Sequence, residues 1–249
     1  FETAFHQTIP LERRIYGIPW EWYEEYGIQR LGYHGASHSY VAETLTDMYG
    51  STGKAISCHL GGSGSLCAID DGKSVDTSFG ISLQVGVIQS NRCGDIVPFI
   101  VPFLQKKGLS LDQVLDGLTK RGGLLGISGV SNDLRDVQEA ADAGNERARL
   151  AIDVFCNGIV RHIGAYYAEL GGLDHLVFTG GIGEHGTRIR EAVCHQLKHM
   201  GILLDDEKNQ SCTGANTVIS RTDSPVTIHV IPANEELGVA RKTFAYLRT

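Results

Sequence analysis

The sequence predicts one α/β unit: an antiparallel meander of three strands, followed by helices interleaved with strands. Three observations predict it. Between Lys54 and Ser78, apolar and polar residues alternate through a glycine turn and an Asp71-Gly72 turn. Asp-Gly between alternating runs is a strong hairpin signal, because both residues tolerate positive φ. Between residues 137 and 170, apolar positions recur at helical spacing. Finally, the apolar runs in "DHLVFTGGIGEHG" and "VTIHVIPANEE" each end in a loop that feeds a helix, the repeating unit of α/β folds.

The elements are taken in chain order. "WEWYEEYG" predicts a short helix closed by Gly27. "HGASHSYVAETLTDMYG" predicts a helix with Val41, Leu45 and Met48 on one face and Gly50 as its stop. The meander comes next. "VPFIVPFLQKKG" is apolar and packs as a helix despite Pro102, and "SLDQVLDGLTKRGG" is a helix capped by Ser110. The long helix of residues 137–170 carries Ala151, Val154, Phe155, Ile159, His162, Ile163, Tyr166 and Leu170. A buried strand then runs into a glycine loop, followed by the helix "TRIREAVCHQLKHMG". A second strand runs into the acidic loop "NEE", and "LGVARKTFAYL" is an amphipathic terminal helix. No repeat or low-complexity tract interrupts the pattern.

Composition narrows the function classes. The chain is 42% hydrophobic and 20% charged, ordinary for a globular protein. No run approaches the roughly 18–20 apolar residues of a membrane helix. A net charge of -7 argues against a nucleic-acid surface, although local loops can still bind a compact anion. The six cysteines form no C-x-x-C pair, and several sit in apolar runs. That usage fits a reducing cytoplasm. The opening "FETAFHQTIP" has no charged segment with an apolar stretch behind it, so it is not a signal peptide. It reads as the inside of a folded protein.

Glycine clusters mark the candidate site. "LVFTGGIGEHG" is strand, glycine turn, helix. Glycines let backbone approach a ligand, and amides opening the next helix favour an anion. The bland alternative is a tight strand-to-helix connection. "HLGGSGS" turns between two strands, where Gly61, Gly62 and Gly64 with Ser63 and Ser65 can form a nest of N–H groups for a phosphate, or a plain hairpin. Asn132, Asp133 and Arg135 stand where a helix begins, either as caps or as the wall of a nucleotide pocket. Arg92 either pairs with Asp95 or places a planar cation over a transferring phosphoryl group. His34 and His38 have i, i+4 spacing. The glutamate and third ligand of a zinc site are missing, so His34 reads instead as a hydrogen-bond donor to an anionic substrate. In "NEE" a carboxylate follows an apolar strand, where it can hold Mg²⁺.

Taken together and in this order, "FETAFHQTIP", "GYHGASH", "CHLGGSGS", "GKSVDTSFG", "NRCGDI", "GISGVSNDLRD", "FTGGIGE" and "IPANEE" resemble the acetate/propionate/butyrate kinase family over nearly the whole chain. The resemblance implies the actin/hexokinase/Hsp70-type (ribonuclease H-like) fold, with two similar domains around a cleft. It implies phosphate transfer between ATP and a short-chain carboxylate with Mg²⁺, and a homodimer formed through this domain. Residues 1–10 would be an interdomain crossover, 11–235 a C-terminal nucleotide-binding domain, and 236–249 a terminal helix packing on a missing N-terminal domain. By position, His59, Leu60, Gly61, Gly62 and Ser63 match the family's phosphate turn. Asp133, Leu134 and Arg135, with Gly181, Ile182, Gly183, Glu184 and His185, match its other nucleotide loops. Arg92 and His34 match transition-state residues, Glu2 a catalytic aspartate, and Glu235 a magnesium-linked glutamate. The departures are Glu2 for aspartate, "SNRCGDIVP" for "GTRSGDIDP", His185 for asparagine, and the missing first domain. The fragment alone is expected to be inactive. Acetate kinase is the leading expectation. Propionate or butyrate kinase, and a non-catalytic nucleotide-binding module, are the alternatives.

Overall fold

The computed structural model describes residues 2–246, so the first residue of the expected crossover and the last three of the expected terminal helix lie outside the described residues. Its centre is a six-stranded sheet in the order β3-β2-β1-β4-β6-β5. The meander is present: β1 (Lys54–Leu60), β2 (Gly64–Asp70) and β3 (Lys73–Thr77) pair antiparallel, with Cys58 opposite Leu66. Asp71 and Gly72 form its second turn at φ 44° and 78°, as that dipeptide requires. Strand β4 (His175–Thr179) lies parallel to β1, and β6 (Thr227–Val230) parallel to β4. The two-residue β5 (Thr217–Val218) closes the edge antiparallel to β6.

Ahead of the sheet stand α1 (Leu11–Arg14), α2 (Trp20–Tyr26) and α3 (Gly35–Tyr49). Gly27 and Gly50 close α2 and α3 in the left-handed conformation, where a side chain would be strained. After the meander come α4 (Ile100–Lys106), α5 (Leu111–Thr119) and α6 (Gly123–Ser128). A reciprocal Ser110–Gln113 capping box opens α5. The expected single helix of residues 137–170 is two: α7 (Leu134–Asp142) and α8 (Glu146–Leu170). Gly144 at φ 92° ends the first, and the Asn145 side chain accepts from the Ala148 amide to start the second. The glycine segment after β4 is not a loop. It is the first of two short helices, α9 (Gly180–His185) and α10 (Thr187–Gln196). Last come α11 (Asp206–Ser211) and α12 (Glu235–Tyr246).

Helix α8 covers one face of the sheet with Ala151, Phe155, Ile159, Ile163 and Tyr166, joined by residues of α7 and α10. On the other face α3 buries Val41 and Leu45 against Ala55, Ile69 and Val177, while Met48 is exposed rather than buried with them. Burying a Leu or Val side chain stabilises by roughly 1.5–3 kcal/mol, so these two layers hold the strands that carry the site. Helix α12 packs on α3. It begins at Glu235, so the acidic "loop" already belongs to it, one residue before the expected boundary at 236. Val239 is half-buried, while Ala240 and Phe244 are exposed. No helix among the described residues is long and apolar enough to cross a membrane.

Candidate functional site

Parallel strands deliver the segments after them to one end of a sheet. Here the turn after β1, helix α9 after β4 and residues 231–235 after β6 all converge at the carboxyl ends of those strands. Two cavities open there. The larger, about 650 Å³, is walled by Gly61 and Gly62 of the hairpin turn, by Asp133, Leu134 and Arg135 at the start of α7, and by Gly181, Ile182 and His185 of α9. Three segments far apart in sequence thus line one cavity. Ser90, Gln138 and Gly186 also line it and were missed; Gln138 lies four residues after Leu134, one helical turn on. The second cavity, about 580 Å³, is lined by His34, His59, Gly180, Asn234 and Glu235. Gly181 borders both.

Backbone shapes the first cavity. Gly181 has open space where a Cβ would stand, whereas a Cβ on Gly180, at φ 75°, would lie 2.8 Å from the Leu60 carbonyl oxygen. The Asp133 side chain accepts from the Arg135 amide, capping α7, and its carboxylate also pairs with the Arg135 guanidinium. The Arg135 contacts hold Asp133 at about 2, below the usual carboxylate range.

Several expected members turn elsewhere. Leu60 is wholly buried in the core. Gly183 faces the sheet, where a Cβ would meet the Phe178 carbonyl carbon at 3.2 Å. The Glu184 carboxylate accepts from the Ala233 amide at 3.0 Å, tying α9 to the chain ahead of α12. Ser63 donates to Gln89 Oε1 at 3.0 Å and, with that oxygen, accepts from Arg92 Nη1, at 3.3 and 3.0 Å. Of the two readings of Arg92, the pair with Asp95 is not made. Asp95 accepts from the Gly86 amide and lies 3.9 Å from His162. Gln89, which positions Arg92, carries no motif and was missed.

The second cavity is a histidine cluster. His34 and His59 stack with ring centroids 4.1 Å apart, and His38 and His6 stand behind them. Serines hold the rings. His34 Nδ1 and His38 Nε2 each lie 2.9 Å from Ser65 Oγ, His38 Nδ1 lies 2.9 Å from Ser57 Oγ, and His59 Nδ1 lies 2.8 Å from Ser37 Oγ. Both His38 nitrogens are therefore engaged, which argues against a zinc pair with His34. Burial, then the neighbouring His59, His6 and Arg92 charges, pushes His34 down to about 3. Burial lowers His59 and His6 to about 4, and His38 well below its ordinary value. The rings are neutral at pH 7, so the 3.8 Å approach of His59 to Glu235 is a polar contact and not an ion pair.

Glu2 lies at the edge of this cluster. One carboxylate oxygen accepts from the His34 amide, and its backbone carbonyl accepts from Gly35, both at 2.9 Å. His34 itself sits at φ 55°, a left-handed conformation costly for a side chain, so Glu2 helps to fix it there. Burial, then the Glu2 charge, holds Glu235 above the usual carboxylate range. Elsewhere Glu191, His195 and Asp206 bring three ligating atoms within 4.8 Å; His195 and Asp206 already pair at 3.1 Å.

Sheet order, convergent glycine segments and a cleft at the strand ends define a mixed α/β fold whose candidate site is a cleft walled largely by backbone. The chain belongs to the acetokinase family, whose model matches residues 1–241. It is 51% identical to an acetate kinase of Dictyoglomus thermophilum over 247 residues, covering 98% of this chain and 62% of the relative. It is 49% identical to a propionate kinase of Citrobacter rodentium over 245 residues, covering 97% and 60%. The crystal structure of Porphyromonas gingivalis acetate kinase superposes with a TM-score of 0.95 at 39% identity, covering 99% of this chain and 63% of that one. The chain thus spans about three-fifths of the length of the relatives it matches.

Proposed function

We propose that the protein acts as an acetate kinase, transferring the γ-phosphoryl group of ATP reversibly to acetate and giving acetyl phosphate and ADP. The observation that carries this reading is the junction at Gly181. A backbone-walled cavity sized for a nucleotide meets a cavity holding His34, with Arg92 close enough for its charge to depress that ring. In the transfer a carboxylate oxygen of acetate bonds to the γ-phosphorus as the bond to the β-phosphate oxygen breaks, and ADP leaves. The acetate is already ionised at pH 7, so no base is required. Backbone at Gly61, Gly62 and Gly181 would cradle phosphates. The Arg92 guanidinium would face the equatorial oxygens, and His34, being neutral, would donate a hydrogen bond rather than charge. Asp133, Leu134, Arg135 and His185 would border the nucleoside end.

Glu235 and Glu2 fit Mg²⁺, a hard cation preferring oxygen ligands, because they are two carboxylates near enough for the Glu2 charge to be felt at Glu235. When bound, the ion supplies neutralisation of phosphate charge. On this reading residues 11–235 are a C-terminal domain, 1–10 a crossover, and 236–249 meets an N-terminal domain that supplies the facing wall. The 249 residues alone then bind nucleotide without turnover. Exposed Val97, Phe99, Phe103 and Leu111 support self-association as a homodimer through this domain. The six free thiols support a reducing cytoplasm.

The test is an acyl-phosphate assay of the protein joined to its N-terminal domain, with carboxylates of increasing length. Acetate is expected to give the highest kcat/KM. Higher values for propionate or butyrate would reassign the substrate, and nucleotide binding without transfer would favour a non-catalytic module.

A further inference from the structure

Arg190 on α10 lines neither cavity, yet its side chain is among the largest fully buried ones. Burying a guanidinium is costly unless all its donors are satisfied, and carboxylates are the usual partners. Here every partner is neutral. Nη1 donates to the carbonyl oxygens of Gly183 and Glu184 at 2.9 and 2.8 Å. Nε donates to Asn209 Oδ1 at 2.7 Å, and Nη2 to the Asn209 carbonyl and Thr187 Oγ1 at 3.1 and 3.4 Å. The five contacts match the five N–H groups of a guanidinium. Asn209, itself buried, donates through Nδ2 to the Thr187 carbonyl and so locks the fork.

The two α9 carbonyls belong to the last turn of a six-residue helix, where carbonyls lack intrahelical partners and a cation is favoured. On its other side α9 is fixed by the bond from the Ala233 amide to Glu184 Oε1. The short helix that presents Gly181 to both cavities is therefore clamped between Arg190 and the chain leading to α12. A lysine could carry the charge but could not span five acceptors in one plane.

We propose that Arg190, locked by Asn209, is a positioning residue for nucleotide: it fixes α9 so that the Gly181 backbone stands where phosphate binds. This rests on the nucleotide reading above. A misplacement of about 1 Å in such a wall is enough to weaken binding strongly.

The experiment is calorimetric titration of the 249-residue chain with MgADP at a temperature where circular dichroism shows each variant folded. The variants are Arg190→Lys, Asn209→Ala and, as a control, Arg188→Ala, which breaks only an exposed pair with Asp142. Arg190→Lys is expected to weaken ADP binding by about tenfold or more, Asn209→Ala by less, and Arg188→Ala not at all. In the protein joined to its N-terminal domain, Arg190→Lys should raise KM for ATP more than it lowers kcat. A folded Arg190→Lys with a lower melting temperature and unchanged ADP affinity would make Arg190 merely structural and overturn the proposal. Should that variant not fold, Asn209→Ala decides by the same readout. Failure of the unaltered chain to bind MgADP at millimolar concentration would instead overturn the nucleotide reading, and this inference with it.

Discussion

The two cavities that meet at Gly181 are built in opposite ways. The larger takes its form from absent side chains and from helix starts; its one carboxylate is neutralised by Arg135. The smaller is crowded with titratable side chains, and burial keeps its imidazoles neutral. The difference teaches where each is vulnerable. Occupied volume should disable the first, and a changed charge or proton count should disable the second. Arg92 is held by Ser63 from the hairpin and Gln89 from its own loop, and its charge is felt at His34.

The largest effect should come from Arg92. Arg92→Ala in the protein joined to its N-terminal domain is expected to lower kcat by about 10²–10³, with a much smaller change in KM for ATP. A cation aimed at the transferring group acts mainly in the transition state. Steady-state kinetics with unchanged kcat would move Arg92 out of the reaction and leave it as a brace between Ser63 and Gln89.

The glycine wall is tested by two neighbours with opposite surroundings. Gly181→Val adds a branched side chain where the space is open, so the chain should fold normally and lose ADP binding. Gly180→Val forces a side chain to φ 75° and against the Leu60 carbonyl, so folding itself should suffer, by a few kcal/mol. Calorimetry on the first and urea unfolding on the second separate the two. Normal ADP affinity in Gly181→Val would show that nucleotide does not approach this backbone.

The histidine cavity makes a pH prediction. His6, His34 and His59, and the distant His229, are held at about 4, 3, 4 and 4 by burial, against 6.5 when unfolded. Below pH 6.5 the unfolded chain binds protons that the folded chain refuses. Stability is therefore fully present above pH 6.5 and falls as pH drops, by up to about 1.4 kcal/mol per pH unit for each histidine. Urea midpoints should hold nearly level from pH 7.5 to about 6.5 and decline from there to pH 5, where most carboxylates stay ionised. His229→Gln should flatten the slope without touching ADP affinity, because His229 pairs with His175 away from both cavities. A flat profile for the unaltered chain would mean that these rings are not buried as described.

What the sequence revealed, and what it hid, divides along the same line. Local chemistry was legible. Asp71-Gly72 demanded a turn, and Gly27 and Gly50 demanded helix ends. The Gly144-Asn145 break was equally legible, as a stop and a cap, but the strong periodicity on both sides masked it. Three glycines after β4 suggested a loop. They form a helix packed close to β4, where a Cβ on Gly183 would crowd the Phe178 carbonyl carbon at 3.2 Å. The histidine cluster was hidden for another reason. His6, His34 and His59 are held by Ser74, Ser65 and Ser37 respectively, partners that only folding brings together. Arg190 was hidden because its partners are carbonyls and an amide, which leave no charge pattern in the sequence.

The smallest effect should come from Glu2, where the two modes of construction overlap. Its carboxylate serves both as an acceptor for the His34 amide and as a charge beside Glu235. Aspartate is one methylene shorter. It keeps the charge but draws it back from the amide, so His34 loses part of what holds it at φ 55°. Glutamine keeps an acceptor oxygen and loses the charge. Glu2→Asp should therefore lower kcat by roughly threefold, the scale of a lost exposed cap, and leave the Mg²⁺ dependence unchanged. Glu2→Gln should retain the His34 geometry and, on the proposed reading, require more Mg²⁺ for half-maximal rate, because one hard anionic group would be gone. Magnesium titrations of the two variants decide the matter. If Asp shifts the magnesium requirement as far as Gln does, the reach of Glu2 matters more than its charge. The carboxylate would then belong to the volume-built side of the site.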